Sequence, residues 1–251
     1  MAFGMLRALS LSMLLVASSA GCAATAATEQ GDPGQGEDAL TTLGPEAYRV
    51  YADLAKDGGA APSPGSVTVL GLRGLTIDGA SHATKYGHAF DDTLVVLRAD
   101  GVSVVRFAAS THPFERHGGA GVPDVNGDGV PDVGIIRAGV YDVGGRDRTI
   151  AGAPSYAVTQ HDQDRIPGWR DLDHDGLISD AERQRSENRG DALTEVLFHQ
   201  GEGAGAPPAV GCQVLPAAAM NAFTTAVGGG HARFRYVLVD MTGRDASKLP
   251  R

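Results

Sequence analysis

A chain of 251 residues, 42% of them hydrophobic, carries enough apolar surface for one ordinary domain and too much for a globally disordered protein. Its 35 glycines favour turns and β structure over long helices. A net charge of −9 argues against nucleic acid as a partner, because phosphate binding relies on clustered Lys and Arg.

In chain order, residues 1–21 have one positive charge at Arg7, an apolar stretch over Ala8–Ala17 and then small residues, the layout of a secretory signal. The stretch is short of the ~20 apolar residues that a membrane span needs. "SAGC" at Ser19–Cys22 resembles a bacterial lipobox, with Ser19 in place of the usual Leu; Cys22 would then be lipidated and become the first mature residue. Cleavage among the alanines at Ala23–Ala27 is the alternative. The expected location is the cell envelope, reached by export, with the membrane held through a lipid anchor only. Residues 22–44 read as a flexible tether. Residues 45–60 read as a short helix: Pro45 suits the first helical position, Ala47, Val50, Tyr51, Leu54 and Ala55 share a face, and Gly58 stops it.

Residues 61–245 form the main domain. "SVTVLGLR" (66–73) alternates as a strand, and "TLVVLRADGVSVVRFAAST" (93–111) is two strands around Asp100-Gly101, a hairpin signal. "GIIRAGVYDV" (134–143), "SYAVTQH" (155–161), "TEVLFH" (194–199) and "RFRYVLVD" (233–240) read as further strands. Helices are expected over 180–189 and 216–227. The fold expected is β-rich, mainly β in a single domain with a few peripheral helices.

Two acidic loops interrupt it. "DLDHDGLISDAE" (171–182) matches the EF-hand loop template: Asp171, Asp173 and Asp175 at positions 1, 3 and 5, Gly176 at the turn, Leu177 offering a carbonyl, Ser179 at position 9 and Glu182 at position 12. Carboxylates crowded in this way repel one another unless a cation neutralises them, so Ca²⁺ with a structural role is the expected ligand. A solvated acidic turn that caps the next helix is the bland alternative. The loop within 124–135, "DVNGDGVPD", keeps Asp124, Asn126, Asp128 and Asp132 at the early spacing but has Ile135 at position 12. The other histidines show no ligand spacing, and no zinc site is expected.

There are two cysteines. With Cys22 lipidated or removed, Cys212 stands alone in an exported protein, which marks it as a candidate reactive thiol rather than an inert buried one. His199 ends a predicted strand, and Cys212 follows thirteen positions later across a glycine-rich loop. An imidazole can hold a thiolate and later protonate a leaving amine. Gly201, Gly203, Gly205 and Gly211 leave room for a substrate backbone, and the amides of Gly211 and Cys212 can face an oxyanion. Arg170 is either a holder of a substrate carboxylate or a solvated surface arginine.

"LFHQG…AVGCQV" resembles the active-site block of L,D-transpeptidases of the YkuD type, in a divergent branch that carries Gln after the cysteine, here Gln213. "VLGLRG" (69–74), "FDDTLVVL" (90–97), "FAASTHP" (107–113), "AGVYDV" (138–143) and "WRDLDHDG" (169–176) fall in the order of that branch, so the likeness covers roughly residues 67–240. The resemblance implies a β-rich cysteine enzyme acting on peptidoglycan stem peptides, with Cys212 as nucleophile, His199 as base, Gly211 as the glycine before the nucleophile, and Gly201 and Gln213 beside the substrate. Two positions depart from the family. Its serine three places before the cysteine is Ala209, and the histidine often found before the glycine is Val210. A catalytically silent cell-wall-binding lipoprotein and a calcium-dependent adhesin are the competing readings; only the enzyme needs a low-pKa Cys212.

Overall fold

The computed structural model describes residues 42–84, 86, 90–113, 122–201 and 211–251. Cys22, Gly203, Gly205, Ala209 and Val210 lie outside the described residues. Helix α1 (Pro45–Asp57) starts on proline and buries Ala47, Tyr51 and Ala55. Strands β1 (Thr68–Arg73), β2 (Asp92–Leu97) and β3 (Val104–Ala109) form an antiparallel meander. The β2–β3 hairpin closes as the Asp100-Gly101 pair predicts. Asp100 Oδ1 accepts the amides of Val102 and Ser103 at 2.9 and 2.8 Å, and Gly101 takes a positive φ of 74°.

The run at 134–143 is not one strand. It divides into β4 (Gly134–Ile136) and β5 (Gly139–Ile150), which belong to different sheets. At the break the Arg137 amide turns to Pro167 O at 3.3 Å, and the chain then crosses to new partners. β6 (Ala153–Thr159) pairs with β5. β7 (Ile166–Arg170), β8 (Ala192–Leu193) and the short β10 (Gln213–Leu215) have no counterpart in the sequence reading; β9 (Leu197–Gln200) and β11 (Arg233–Asp240) do. Helix α2 (Asp180–Arg189) and helix α3 (Ala217–Val227) lie where their patterns place them.

Eight strands form one sheet in the order β10-β9-β6-β5-β11-β1-β2-β3, with β1/β11 and β9/β10 parallel. Its two ends meet through an antiparallel bridge between Ser110, just after β3, and Val214 of β10, so the sheet is nearly closed. The expectation of peripheral helices is corrected by α3. Its Met220 and Phe223 are fully buried in one cluster with Leu94, Phe107, Tyr156, Phe198 and Phe234 from five strands of that sheet. An alanine-rich helix with an apolar face buries whichever face the sheet curls around. Helix α1 covers the other face, over Leu70, Leu72, Val237 and Val239. Gly71 of β1 gives the ring of Tyr236 its space, since a Cβ there would meet the ring. A second sheet, β4-β7-β8, carries the acidic loops: one runs into β4 and the other leaves β7 for α2.

Candidate functional site

Parallel pairing of β9 with β10 sets Val214 opposite His199 and Gln213 opposite Phe198. Side chains alternate across a strand, so Cys212, one step before β10, shares a face with Val214 and with His199 on the neighbouring strand. Phe198 and Gln213 point the other way, into the core. On the thiol's face Cys212 packs with Leu197 and Val214, with Phe90, Ile150 and Ala157 at the margin.

His199 is fully buried. Its Nδ1 donates to Gln200 O at 2.7 Å. A carbonyl only accepts, so the proton resides on Nδ1 and Nε2 presents a lone pair. That Nε2 is buried and has no hydrogen-bond partner among the described residues. Burial holds the imidazole below its ordinary pKa, against the Gln200 contact. Burial also pushes the Cys212 thiol up to about 11, with the Glu195 charge adding and the Leu197 amide opposing. Sγ donates weakly to Glu195 O at 3.9 Å. The resting pair is therefore a neutral thiol and a neutral imidazole, not the ion pair the sequence suggested. Gly211 is required where it stands: φ is 145°, and a Cβ would collide with Leu193 and come within 3.0 Å of Gly134 O.

Two expected substrate contacts are turned inward. Gln213 is fully buried; its Oε1 accepts from Tyr236 Oη at 2.7 Å, which ties the cysteine's neighbour to the core. Arg170 is neither solvated nor facing a substrate. It is 6% exposed and donates to Asp132 O at 2.8 Å and Ala192 O at 2.9 Å. The Gly201 amide extends the β9–β10 pairing by donating to Leu215 O at 3.0 Å.

Behind the thiol lies a buried network that the sequence did not single out. Asp92 accepts the amides of Gly74 and Thr111 at 2.7 and 2.8 Å and the Thr111 hydroxyl at 2.7 Å. Arg73, 1% exposed, donates to the Thr111 hydroxyl and carbonyl and to Ile136 O. His112 Nε2 contacts Asp91 Oδ1 at 2.8 Å. His82 has Ala83 O on Nδ1 and Asp91 O on Nε2, both acceptors, so the ring is a cation. Its pKa rises to about 9, first through Asp92, with the Ala83 contact and the charges of Asp91 and Asp92 adding against burial. One ligand atom each of His82, Asp91 and Asp92 lies within 4.8 Å of the others. The carboxylates are already matched by these donors, so the group reads as a charge network. The network adjoins the site at two points: Phe90 beside Asp91, and the Ser110–Val214 bridge beside His112.

In the second acidic loop, one ligand atom from each of Asp171, Asp173 and Asp175 lies within 4.8 Å of the others. Asp171 Oδ2 accepts the Gly176 amide at 3.0 Å, and Asp175 Oδ1 accepts the Leu177 amide at 2.7 Å. Asp180 is exposed and outside the group. Asp171 is fully buried, and its Oδ1 has no partner among the described residues. Burial, with Glu182 and Asp173 adding and the Gly176 amide opposing, raises Asp171 to about 6. Glu182 accepts from Leu172 N at 2.6 Å and from the amide and hydroxyl of Ser179, forming the capping box of α2. The helix cap is thus Ser179, not an aspartate.

In the first loop Asp124 accepts the amides of Gly127 and Gly129, and Asp128 that of Val130. Asp132 is fully buried; its Oδ2 accepts the Val125 amide at 2.6 Å, and its Oδ1 has no hydrogen bond among the described residues. The loops touch: Asn126 Nδ2 donates to Leu172 O at 2.7 Å, and His174 lies 3.3 Å from Asp128 and 3.7 Å from Asp132.

Comparison with protein-family models, curated proteins and solved structures gives no match.

Proposed function

We propose that the protein is an exported thiol acyltransferase or peptidase with Cys212 as nucleophile and His199 as base. The carrying observation is the pairing geometry: a buried, unpartnered His199 Nε2 on the same face of the sheet as Cys212, on an adjacent strand. The Cys212 proton passes to Nε2 as sulfur attacks an amide carbonyl; backbone amides hold the oxyanion. The C–N bond then breaks, His199 returns the proton to the departing amine, and an amine or water cleaves the thioester and restores the thiol. Peptidoglycan stem peptides are the substrate class supplied by the L,D-transpeptidase resemblance, and a lipid on Cys22 would tether the chain at the envelope. The thiol raised to about 11 favours one rival, a silent wall-binding protein of the same fold. Iodoacetamide separates them. At pH 7.5 the wild type should alkylate on the order of 10²-fold faster than His199→Ala, the scale of a working general base. Equal rates, with one rise near the thiol's own raised pKa, would leave only the silent reading. Muropeptide analysis with Cys212→Ala then identifies the acceptor.

Structural calcium belongs to the same proposal. The donors fit: hard carboxylate oxygens at the template spacing, with an orphaned buried oxygen on Asp171. Asp171, Asp173, Asp175 and Glu182, with the Leu177 carbonyl and Ser179, would hold the ion; Asp124, Asn126, Asp128 and Asp132 form the second candidate set. EGTA should lower the melting temperature, by the equivalent of ~2.7 kcal/mol when free Ca²⁺ had been 100 times its Kd. Magnesium should rescue poorly, because it demands a tighter octahedron. Melting that ignores both EGTA and Glu182→Gln would make the loop a plain acidic turn.

A further inference from the structure

We infer that cation binding in the acidic loops governs the reactivity of Cys212, through the small sheet on which Gly211 rests; this builds on the thiol reading above. The path is continuous. Gly211, directly before the nucleophile, lies against Gly134 O and Leu193, close enough that no Cβ fits between them. Gly134 begins β4, two residues after Asp132, and Leu193 lies in β8. Both belong to the sheet whose central strand, β7, ends at Arg170, directly before Asp171.

The loops are locked to that sheet. Gly134 pairs with Arg170, and the Asp171 amide donates to Val133 O at 3.1 Å. The Arg170 guanidinium joins Asp132 O to Ala192 O, which spans the first loop and β8. A second contact reaches the other side of the site. Gly176 O accepts the Tyr86 amide at 2.9 Å, and the Tyr86 ring stacks on His112 with centroids 6.4 Å apart.

The acidic cluster is not the only sign of a ligand. Asp171 is 0% exposed and keeps Oδ1 without a hydrogen-bond partner among the described residues, while Asp132, also 0% exposed, has His174 Nε2 3.7 Å from its Oδ1. The two carboxylates belong to residues of the Arg170–Asp171 and Asp132–Val133 junctions. A cation that satisfies them fixes β4 and β7, and with them the bed beneath Gly211. Without it, like charges push the junctions apart and the Gly211–Cys212 turn loses its support. A packed element of this kind transmits such a change because it has few alternative arrangements.

The experiment uses the full chain and the ratio of Cys212 alkylation rates, wild type over His199→Ala, at pH 7.5 in calcium chloride and in EGTA. Calorimetry with calcium alone records binding. The ratio should be on the order of 10²-fold in calcium and fall below about twofold in EGTA, while Leu193→Ala should still bind calcium but show a low ratio in both. A high ratio that survives EGTA, with calcium loss verified, overturns the coupling and leaves the thiol reading intact. A ratio near one in both buffers overturns the thiol reading and the coupling with it. Asp171→Asn, which removes one ligand charge, should reproduce the EGTA state in calcium. If Asp171→Asn does not fold, Leu193→Ala decides alone: a calcium-responsive ratio in that variant overturns the path.

Discussion

Phe223→Ala is expected to destabilise the protein by about 3–5 kcal/mol, measured by urea unfolding with the slope unchanged. Phe223 is the residue of α3 on which the enclosed face of the sheet converges. Its ring stacks on Phe198 with centroids 5.8 Å apart and meets Phe107, Tyr156 and Phe234 edge-on at 5.6, 6.0 and 6.0 Å. These four partners come from β9, β3, β6 and β11, so no single strand can shift to fill the space. Truncation removes both the transfer energy of a buried ring and the edge-to-face contacts, which add ~0.5–1.5 kcal/mol each. Phe223→Leu should cost less, since it refills part of the volume. A loss below about 1 kcal/mol for Phe223→Ala would mean that α3 is not held inside the curve of the sheet.

Asp92→Asn should cost a comparable amount, about 3–5 kcal/mol, although it removes hardly any volume. Asp92 is fully buried and receives three hydrogen bonds from Gly74 and Thr111. An amide in its place sets an NH₂ against at least one of those donors. It also leaves the His82 cation with only Asp91 as counter-charge. The pH dependence gives an independent signature. His82 has a folded pKa of about 9, above its ordinary 6.5, so its stabilisation is complete below pH 6.5 and fades as pH rises through about 9. For Asp92, burial alone raises the pKa, but His82, His112, Thr111 and Gly74 together hold it below the ordinary 3.8. Its stabilisation is present above that value and fades as pH falls. The wild type should therefore lose stability between pH 6.5 and 9, and Asp92→Asn should flatten that slope, because Asp92 is the leading cause of the His82 shift. An alkaline slope that is the same in both proteins would separate His82 from Asp92.

Where local chemistry decides, the sequence was readable. Asp100-Gly101 specified a hairpin, and Asp171, Asp173 and Asp175 lie together as their spacing suggested, though the cap of α2 is Ser179 and not an aspartate. Where distant partners decide, it was not. Pro167 and a single exposed-face alternation hid β7, which is a strand only because β4 and β8 flank it. Arg170 reads as a surface charge until two carbonyls, one from each flanking strand's vicinity, are brought to its guanidinium. Likewise "LRG", "FDD" and "STH" lie in blocks that carry the resemblance, but nothing in them shows a shared network until β1, β2 and β3 bring Arg73, Asp92 and Thr111 together at one end of the sheet. For the thiol site, the placement of His199 on a strand was legible from alternation; β10, which sets Cys212 on the neighbouring strand, was not. Nor was their burial, and burial is what makes the resting pair neutral.

The parallel pairing of β1 with β11 also orders events in time. Thr68 to Arg73 take their partners from Arg235 to Asp240, so during synthesis one edge of β1 stays open until almost the whole domain has left the ribosome. Contacts between such remote segments close slowly, and an apolar edge waiting for its partner is a template for foreign strands. The nascent domain is thus most vulnerable just before β11 emerges, when a holdase matters more than final stability. The same topology makes β11 a poor place for proteolytic cleavage. Loss of β11 would not shorten the sheet at its margin but break it open from within, leaving β10-β9-β6-β5 and β1-β2-β3 joined only through the Ser110–Val214 bridge.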